Sequence, residues 1–134
     1  MFKINGYKKN WYKEWFGDEY LTVYEHRDEN DANQLVELIL KNVRISDKTT
    51  ILDVACGTGR HAVRFAECTP HVYGIDLSRR LLNEAYNSGK PIYLVQADMR
   101  CLPISRPFDF VLSLFTSFGY FEDEENFQVL KNVA

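Results

Sequence analysis

Between Ala32 and Val43 the apolar residues fall at helical spacing: Ala32, Leu35, Val36, Ile39 and Val43 share one face. The acidic run from Asp28 to Asp31 precedes them, which suits the positive end of a helix. This pattern predicts a helix that covers a core. Beyond Lys48 the pattern changes to short β-rich apolar runs, at 51–55, 71–75, 91–95 and 108–114, separated by helical patterns or loops. Ser78 is placed to cap a helix carrying Leu81, Leu82 and Ala85 on one face, and Gly89 is placed to end it. The acidic group Glu122 to Glu125 opens a last helical pattern through Phe127, Leu130 and Val133.

Runs of nearly continuous apolar residues belong to strands covered on both faces, so the expected fold is α/β with a Rossmann-like, doubly wound parallel sheet. The expected order is β-α-β-α-β-β, or the same with a further helix before the last strand. Two parts are expected: a helical cap segment at 1–46 and a Rossmann-like core at 47–134.

At 134 residues the chain has the size of one domain, and its 46% apolar content, rich in Phe and Tyr, suffices for a core. A formal net charge of −3 without a basic block argues against tight nonspecific nucleic-acid binding. No apolar run reaches bilayer-spanning length, and Met1 to Asn5 opens no signal-like apolar stretch, so no membrane is expected. Cys56, Cys68 and Cys101 are odd in number and scattered, as in a reducing, cytoplasmic compartment.

The segment Ile51-Leu52-Asp53-Val54-Ala55-Cys56-Gly57-Thr58-Gly59-Arg60 carries the clearest chemical signal. An apolar strand bearing one acid breaks into a glycine turn, where backbone N–H groups can approach a ligand with no Cβ in the way. Gly57, Gly59 and Ala62 satisfy a G-x-G-x-x-A pattern, weak by itself and sharpened by Asp53 inside the strand. A second acid, Asp76, ends the run Val72-Tyr73-Gly74-Ile75 at a distance from the glycines that suits ribose recognition. A third, in Gln96-Ala97-Asp98-Met99, directly follows the run Ile92 to Val95.

Together these residues resemble the class I S-adenosylmethionine-dependent methyltransferases. The resemblance implies that S-adenosyl-L-methionine is the cofactor and that Asp53 helps hold its methionine ammonium. It implies that Ala55, Cys56, Gly57, Thr58 and Gly59 pass beneath the methionine and ribose, and that Asp76 accepts the ribose hydroxyls. Leu77 would pack on the adenine, Asp98 would accept from its 6-amino group, and Met99 would offer the ring a soft apolar face. Leu114, with Phe115, Thr116, Ser117 and Tyr120, would stand where the fourth strand opens on the methyl-transfer site. The family's sheet continues beyond a fourth strand, so the core is expected to be incomplete, with an uncovered fourth strand open to self-association. The Asn/Asp-Pro-Pro-aromatic signature of many amino-group DNA and protein methyltransferases does not occur, which favours a small-molecule methyl acceptor.

Each feature also has a plainer reading. Asp53 could end a strand, Asp76 could cap a helix, and Asp98 could be a solvated turn acid. The aromatic N-terminal group Trp11, Tyr12, Trp15, Phe16, Tyr20, Leu21 and Tyr24, followed by His26 and Arg27, reads first as an amphipathic helix lying on the sheet and second as a lid. On the second reading Tyr12, Tyr20, Tyr24 and His26 would meet the substrate. Cys68-Thr69-Pro70-His71 lacks a second ligand pair for zinc, and Cys56 has no activating base nearby in sequence. Two other functions compete: an NAD-dependent oxidoreductase, since the glycines and Asp76 suit any ribose, and a noncatalytic cofactor-binding half-domain.

Overall fold

The computed structural model describes residues 29–114 and 118–134. The aromatic group from Trp11 to Arg27 and the residues Phe115, Thr116 and Ser117 lie outside the described residues.

Helix α1 (Glu29–Asn42) comes first, followed by β1 (Ile51–Val54), α2 (Ala62–Phe65), β2 (Val72–Asp76), α3 (Arg79–Asn87), β3 (Tyr93–Gln96), β4 (Phe110–Leu112) and α4 (Asp123–Val133). Four strands form one sheet in the order β3-β2-β1-β4, with every neighbouring pair parallel. Parallel neighbours need crossover connections, which α2 and α3 provide on one side of the sheet order. The step from β3 to β4 is made by a loop, so the simpler of the two expected element orders is the one observed.

The alternation of side chains sorts the core into two layers. Ile51 of β1 and Val72 of β2 join Val36 of α1 and Ala62 and Phe65 of α2, with Phe110, Leu112 and Leu114 packed alongside. Leu52, Val54 and Ile75 face the other way, onto Met99 and Val129 of α4. Helix α1 therefore covers the core, as its spacing predicts. Helix α3 follows the sequence closely: Ser78 Oγ accepts the Leu81 N–H at 3.3 Å, and Leu81, Leu82 and Ala85 are buried. Gly89, at φ +71°, takes the left-handed conformation that closes the helix.

Several elements are shorter than their apolar runs. Strand β1 stops at Val54 because Ala55 turns left-handed at φ 60°. Ahead of β4, the Asp109 carboxylate accepts from both Thr50 N and Thr50 Oγ1, at 2.8 and 3.0 Å, which adds side-chain bonds to the backbone bonds from Asp109 N and Phe110 N to the Thr50 carbonyl. Helix α2 is a single regular turn, extended by tighter bonds such as Cys68 N to Phe65 O at 2.9 Å, so its dipole is much smaller than a full helix would supply. Helix α4 buries Val129, whereas Phe127 and Leu130 are 64% and 48% exposed. Among the described residues β4 pairs only with β1, and no helix is long and apolar enough to cross a membrane.

Gly74 sits where β2 passes under the loop that follows β1. A Cβ there would lie 2.8 Å from Cys56 Sγ and 3.1 Å from Leu94 Cδ2. Gly74→Ala is expected to destabilise the protein by about 1–3 kcal/mol through overpacking, with partial recovery when Cys56→Ala is added. Urea denaturation of the two variants and their combination checks this.

Candidate functional site

Because β1, β2 and β3 are parallel neighbours, their carboxyl ends open on one side of the sheet, and the three acids come with them. Asp53 lies opposite Gly74, and Asp76 lies opposite Gln96, two residues before Asp98. The Ala97 N–H donates to the Asp76 carbonyl at 3.0 Å, which draws the Asp98 loop against the end of β2. Spacing in the sequence cannot show this convergence; strand order produces it.

The loop after β1 is built from left-handed residues, Ala55 at φ 60°, Gly57 at 58° and Gly59 at 74°. Its backbone is pinned at each step: Cys56 N donates to Ile75 O, Gly57 N to Asp76 Oδ2, and Gly59 N to Cys56 O, all within 2.8–2.9 Å. The two glycines do different things. A Cβ on Gly57 would meet nothing closer than Leu81 Cδ1 at 4.0 Å, so this residue leaves an open approach to the backbone. A Cβ on Gly59 would meet the Ala85 Cβ at 3.0 Å, so this residue lets the loop close on α3. Thr58 lies between them, half-buried.

Asp53 is 2% exposed, and its Oδ2 is buried with no hydrogen-bond partner among the described residues. Burial, with a smaller contribution from the Asp76 charge, pushes its carboxyl up to about 7. An acceptor with no donor is costly to bury, and a cationic or N–H-bearing ligand would supply the missing donor. Asp76 is differently placed. Its Oδ2 accepts from Gly57 N and its Oδ1 from Ser78 N, both at 2.8 Å, and these bonds oppose the upward push that burial gives its carboxyl. The carboxylate is thus fixed in direction, with acceptor capacity left for hydroxyl donors.

The remaining sequence-predicted residues fall around this centre. Leu77 is half-buried, and its carbonyl accepts from Gln96 Nε2 at 3.0 Å, which holds the turn after β2 over β3. Asp98 receives Arg100 in a two-pronged ion pair, with Nη2 to Oδ2 at 2.7 Å and Nε to Oδ1 at 3.0 Å. Met99 packs in the layer under the sheet with Leu52, Val54 and Ile75. Leu114, just past β4, packs against the α1 and α2 layer. Cys56 is buried, and burial beside Asp53 and Asp76 drives its thiol strongly up, which makes it a packing residue and a poor nucleophile.

Three residues in or around the site were not singled out by the sequence. His61, directly after the loop, is buried, and burial together with Arg60 holds its imidazole down to about 4, so it is neutral at neutral pH. Its place after Gly57-Thr58-Gly59-Arg60 is the signal that could have found it. Arg100 stands two residues beyond Asp98, a spacing that suits a turn pair. Asn132, which donates to the Arg100 and Met99 carbonyls at 2.7 and 3.2 Å, has no local signal, because its role depends on where α4 docks.

The family model of a methyltransferase domain matches residues 51–134. Over 95 residues, 71% of the chain, it is 34% identical to dTDP-3-amino-3,4,6-trideoxy-alpha-D-glucopyranose N,N-dimethyltransferase of Streptomyces venezuelae, of which it covers 39%. It is 35% identical over 96 residues, again 71% of the chain, to dTDP-3-amino-3,6-dideoxy-alpha-D-glucopyranose N,N-dimethyltransferase of Streptomyces fradiae, of which it covers 35%. The fold superposes with a TM-score of 0.70 and 26% identity on S-adenosylmethionine-bound CalS10, an amino pentose methyltransferase from Micromonospora echinaspora, over 98% of this chain and 53% of that one. The chain thus spans about half or less of the length of the relatives it matches. With the matched domain covering all four strands found among the described residues, the chain belongs to the class I S-adenosylmethionine-dependent methyltransferase family.

Proposed function

We propose that the protein transfers a methyl group from S-adenosyl-L-methionine to a small-molecule acceptor. The observation that carries this reading is the buried Oδ2 of Asp53, which has no hydrogen-bond partner among the described residues and fits the ammonium of the cofactor's methionine part. Ala55, Cys56, Gly57, Thr58 and Gly59 pass beneath the methionine and ribose, and Asp76 receives the ribose hydroxyls. Leu77 and Met99 flank the adenine, Asp98 takes its 6-amino group, and Leu114 stands toward the acceptor side. When bound, the cofactor supplies an already activated methyl group on a sulfonium. The residues of the chain hold it, orient it and keep water away, so rate comes chiefly from alignment.

A small acceptor is supported by the relatives, whose names place them on nucleotide-linked amino sugars and an amino pentose. We place the protein in the cytoplasm, on the scattered free cysteines. Residues 1–46 would form a cap and 47–134 the cofactor core, with α1 bridging the two by packing on Ile51 and Phe65.

Calorimetry tests the cofactor assignment: S-adenosylhomocysteine is expected to bind and NAD is not, and the reverse result would move the protein to the oxidoreductases. In the same titration Asp76→Ala is expected to weaken S-adenosylhomocysteine by about 1–3 kcal/mol, because both the ribose bonds and the Gly57 tether are lost.

Asp53 gives a pH signature. Its folded value of about 7 exceeds the ordinary 3.8, so between them the folded state binds the proton more tightly than the unfolded state. Stability from this group is present at low pH and is lost as pH rises toward neutrality. Asp53→Asn is therefore expected to stabilise the ligand-free protein by roughly 1–3 kcal/mol near pH 8 and by about a third of that near pH 5. Ligand affinity should move the other way, rising through neutrality in the natural protein and staying low and flat in the variant. Urea denaturation and calorimetry at the two pH values read both effects.

Self-association is supported by β4, which among the described residues pairs only with β1 and exposes Val111, and by Phe127 and Leu130, exposed on α4. Light scattering at rising concentration should show dimers or larger species, reduced by Val111→Lys; a monomer at every concentration would remove this part of the proposal.

A further inference from the structure

The loop that carries Asp98 is held in place by α4, and Arg100 is the link. Its Nε donates to Asp98 Oδ1 and Oδ2 at 3.0 and 3.2 Å, its Nη2 to Oδ2 at 2.7 Å, and its backbone N–H to Oδ1 at 2.9 Å. The other prong, Nη1, reaches Glu125 Oε1 on α4 at 2.7 Å, and the guanidinium lies 4.3 Å from the centroid of the Phe121 ring. Glu125 is itself anchored, since its Oε2 accepts the Glu122 N–H at 3.4 Å at the start of α4. Asn132 completes the frame by donating to the Arg100 and Met99 carbonyls.

The side chains of Arg100 and Asp98 are both 26% exposed, and ion pairs this open to solvent add little stability. The consequence of the arrangement is geometric. A planar fork on a planar carboxylate fixes the rotation of the carboxylate, which a lysine ammonium, a point charge, cannot do. We infer that Arg100 is a positioning residue, holding the Asp98 carboxylate as a fixed acceptor and so setting a preference for 6-amino over 6-oxo purines in the cofactor. This rests on the proposed adenosyl ligand. A 6-amino group offers that acceptor an N–H; a 6-oxo group brings a second acceptor against it, leaving both unsatisfied. If the carboxylate is free to turn, it loses the bond to the amine and also the repulsion against the carbonyl.

The test compares S-adenosylhomocysteine with its deaminated analogue, S-inosylhomocysteine, by calorimetry on the natural protein and on Arg100→Ala, Arg100→Lys and Glu125→Gln. The natural protein is expected to prefer the adenosyl ligand by about ten- to a hundredfold. Arg100→Ala should bring the two affinities within about threefold, and Arg100→Lys should fall between. Glu125→Gln, which can still accept the Glu122 N–H, should keep the natural ratio. Circular dichroism melts identify the folded variants, and if Arg100→Ala does not fold, Arg100→Lys decides. A folded Arg100 variant with the natural ratio overturns the inference, as does a natural protein that binds both ligands equally; either result leaves the cofactor assignment standing. A natural protein that binds neither ligand overturns the cofactor assignment itself and the inference with it.

Discussion

Everything in the site depends on a carboxyl group kept out of water at the middle of the sheet, one oxygen of which has no partner among the described residues. Asp53 sits on the central strand between Gly74 of β2 and Leu112 of β4, and neither offers it a donor. Strand pairing on both sides prevents the side chain from escaping to solvent, so its penalty is imposed by the sheet. The neighbouring acid, Asp76, offsets part of the same penalty by accepting two backbone N–H groups. Two acids close in space thus have opposite conditions: one satisfied and directed, the other waiting for a donor. That asymmetry is what the proposed ligand requires, a cationic group for one acid and a pair of hydroxyls for the other.

The loop between them carries a further cost. Ala55 adopts a left-handed φ that a residue with a Cβ rarely takes, at a strain on the order of 1 kcal/mol. It is held there by regular pairing on both sides: Val54 is in register with Ile75, and Cys56 N donates to the Ile75 carbonyl. Strand β2 thereby acts as the template for the turn as well as the neighbour of β1. The absence of a side chain at Gly74 is what lets Cys56 lie down on that template.

Much of this was legible in the sequence because it rests on local chemistry. Helix α3, with Ser78 at one end and Gly89 at the other, and helix α1, with its single apolar face, follow from spacing alone. The parallel sheet followed from apolar runs, and the candidate acids from their places at strand ends. What stayed hidden depends on partners distant in the chain. The bonds between Asp109 and Thr50 ahead of β4 join residues 59 positions apart, and the frame around Asp98 comes from Glu125 and Asn132, 27 and 34 positions further on. The same holds for α4, whose periodicity marks Phe127 and Leu130 as apolar but cannot say which face will meet the sheet.

The docking of α4 shows why periodicity misleads there. The helix turns Val129 and half-buried Val133 inward together with Glu125, Asn126 and Asn132, so its inner face is as polar as it is apolar. Those polar groups are occupied: Glu125 with Arg100, Asn126 with the backbone of Phe121, and Asn132 with the carbonyls of Met99 and Arg100. Rotating the helix to bury Phe127 and Leu130 would gain roughly 1.5–3 kcal/mol for each side chain fully covered. It would also strand two loop carbonyls, at a comparable cost. With the hydrophobic gain and the polar loss so nearly balanced, the orientation is set by the loop that carries Asp98, and the exposed apolar stripe is the consequence of holding that loop still.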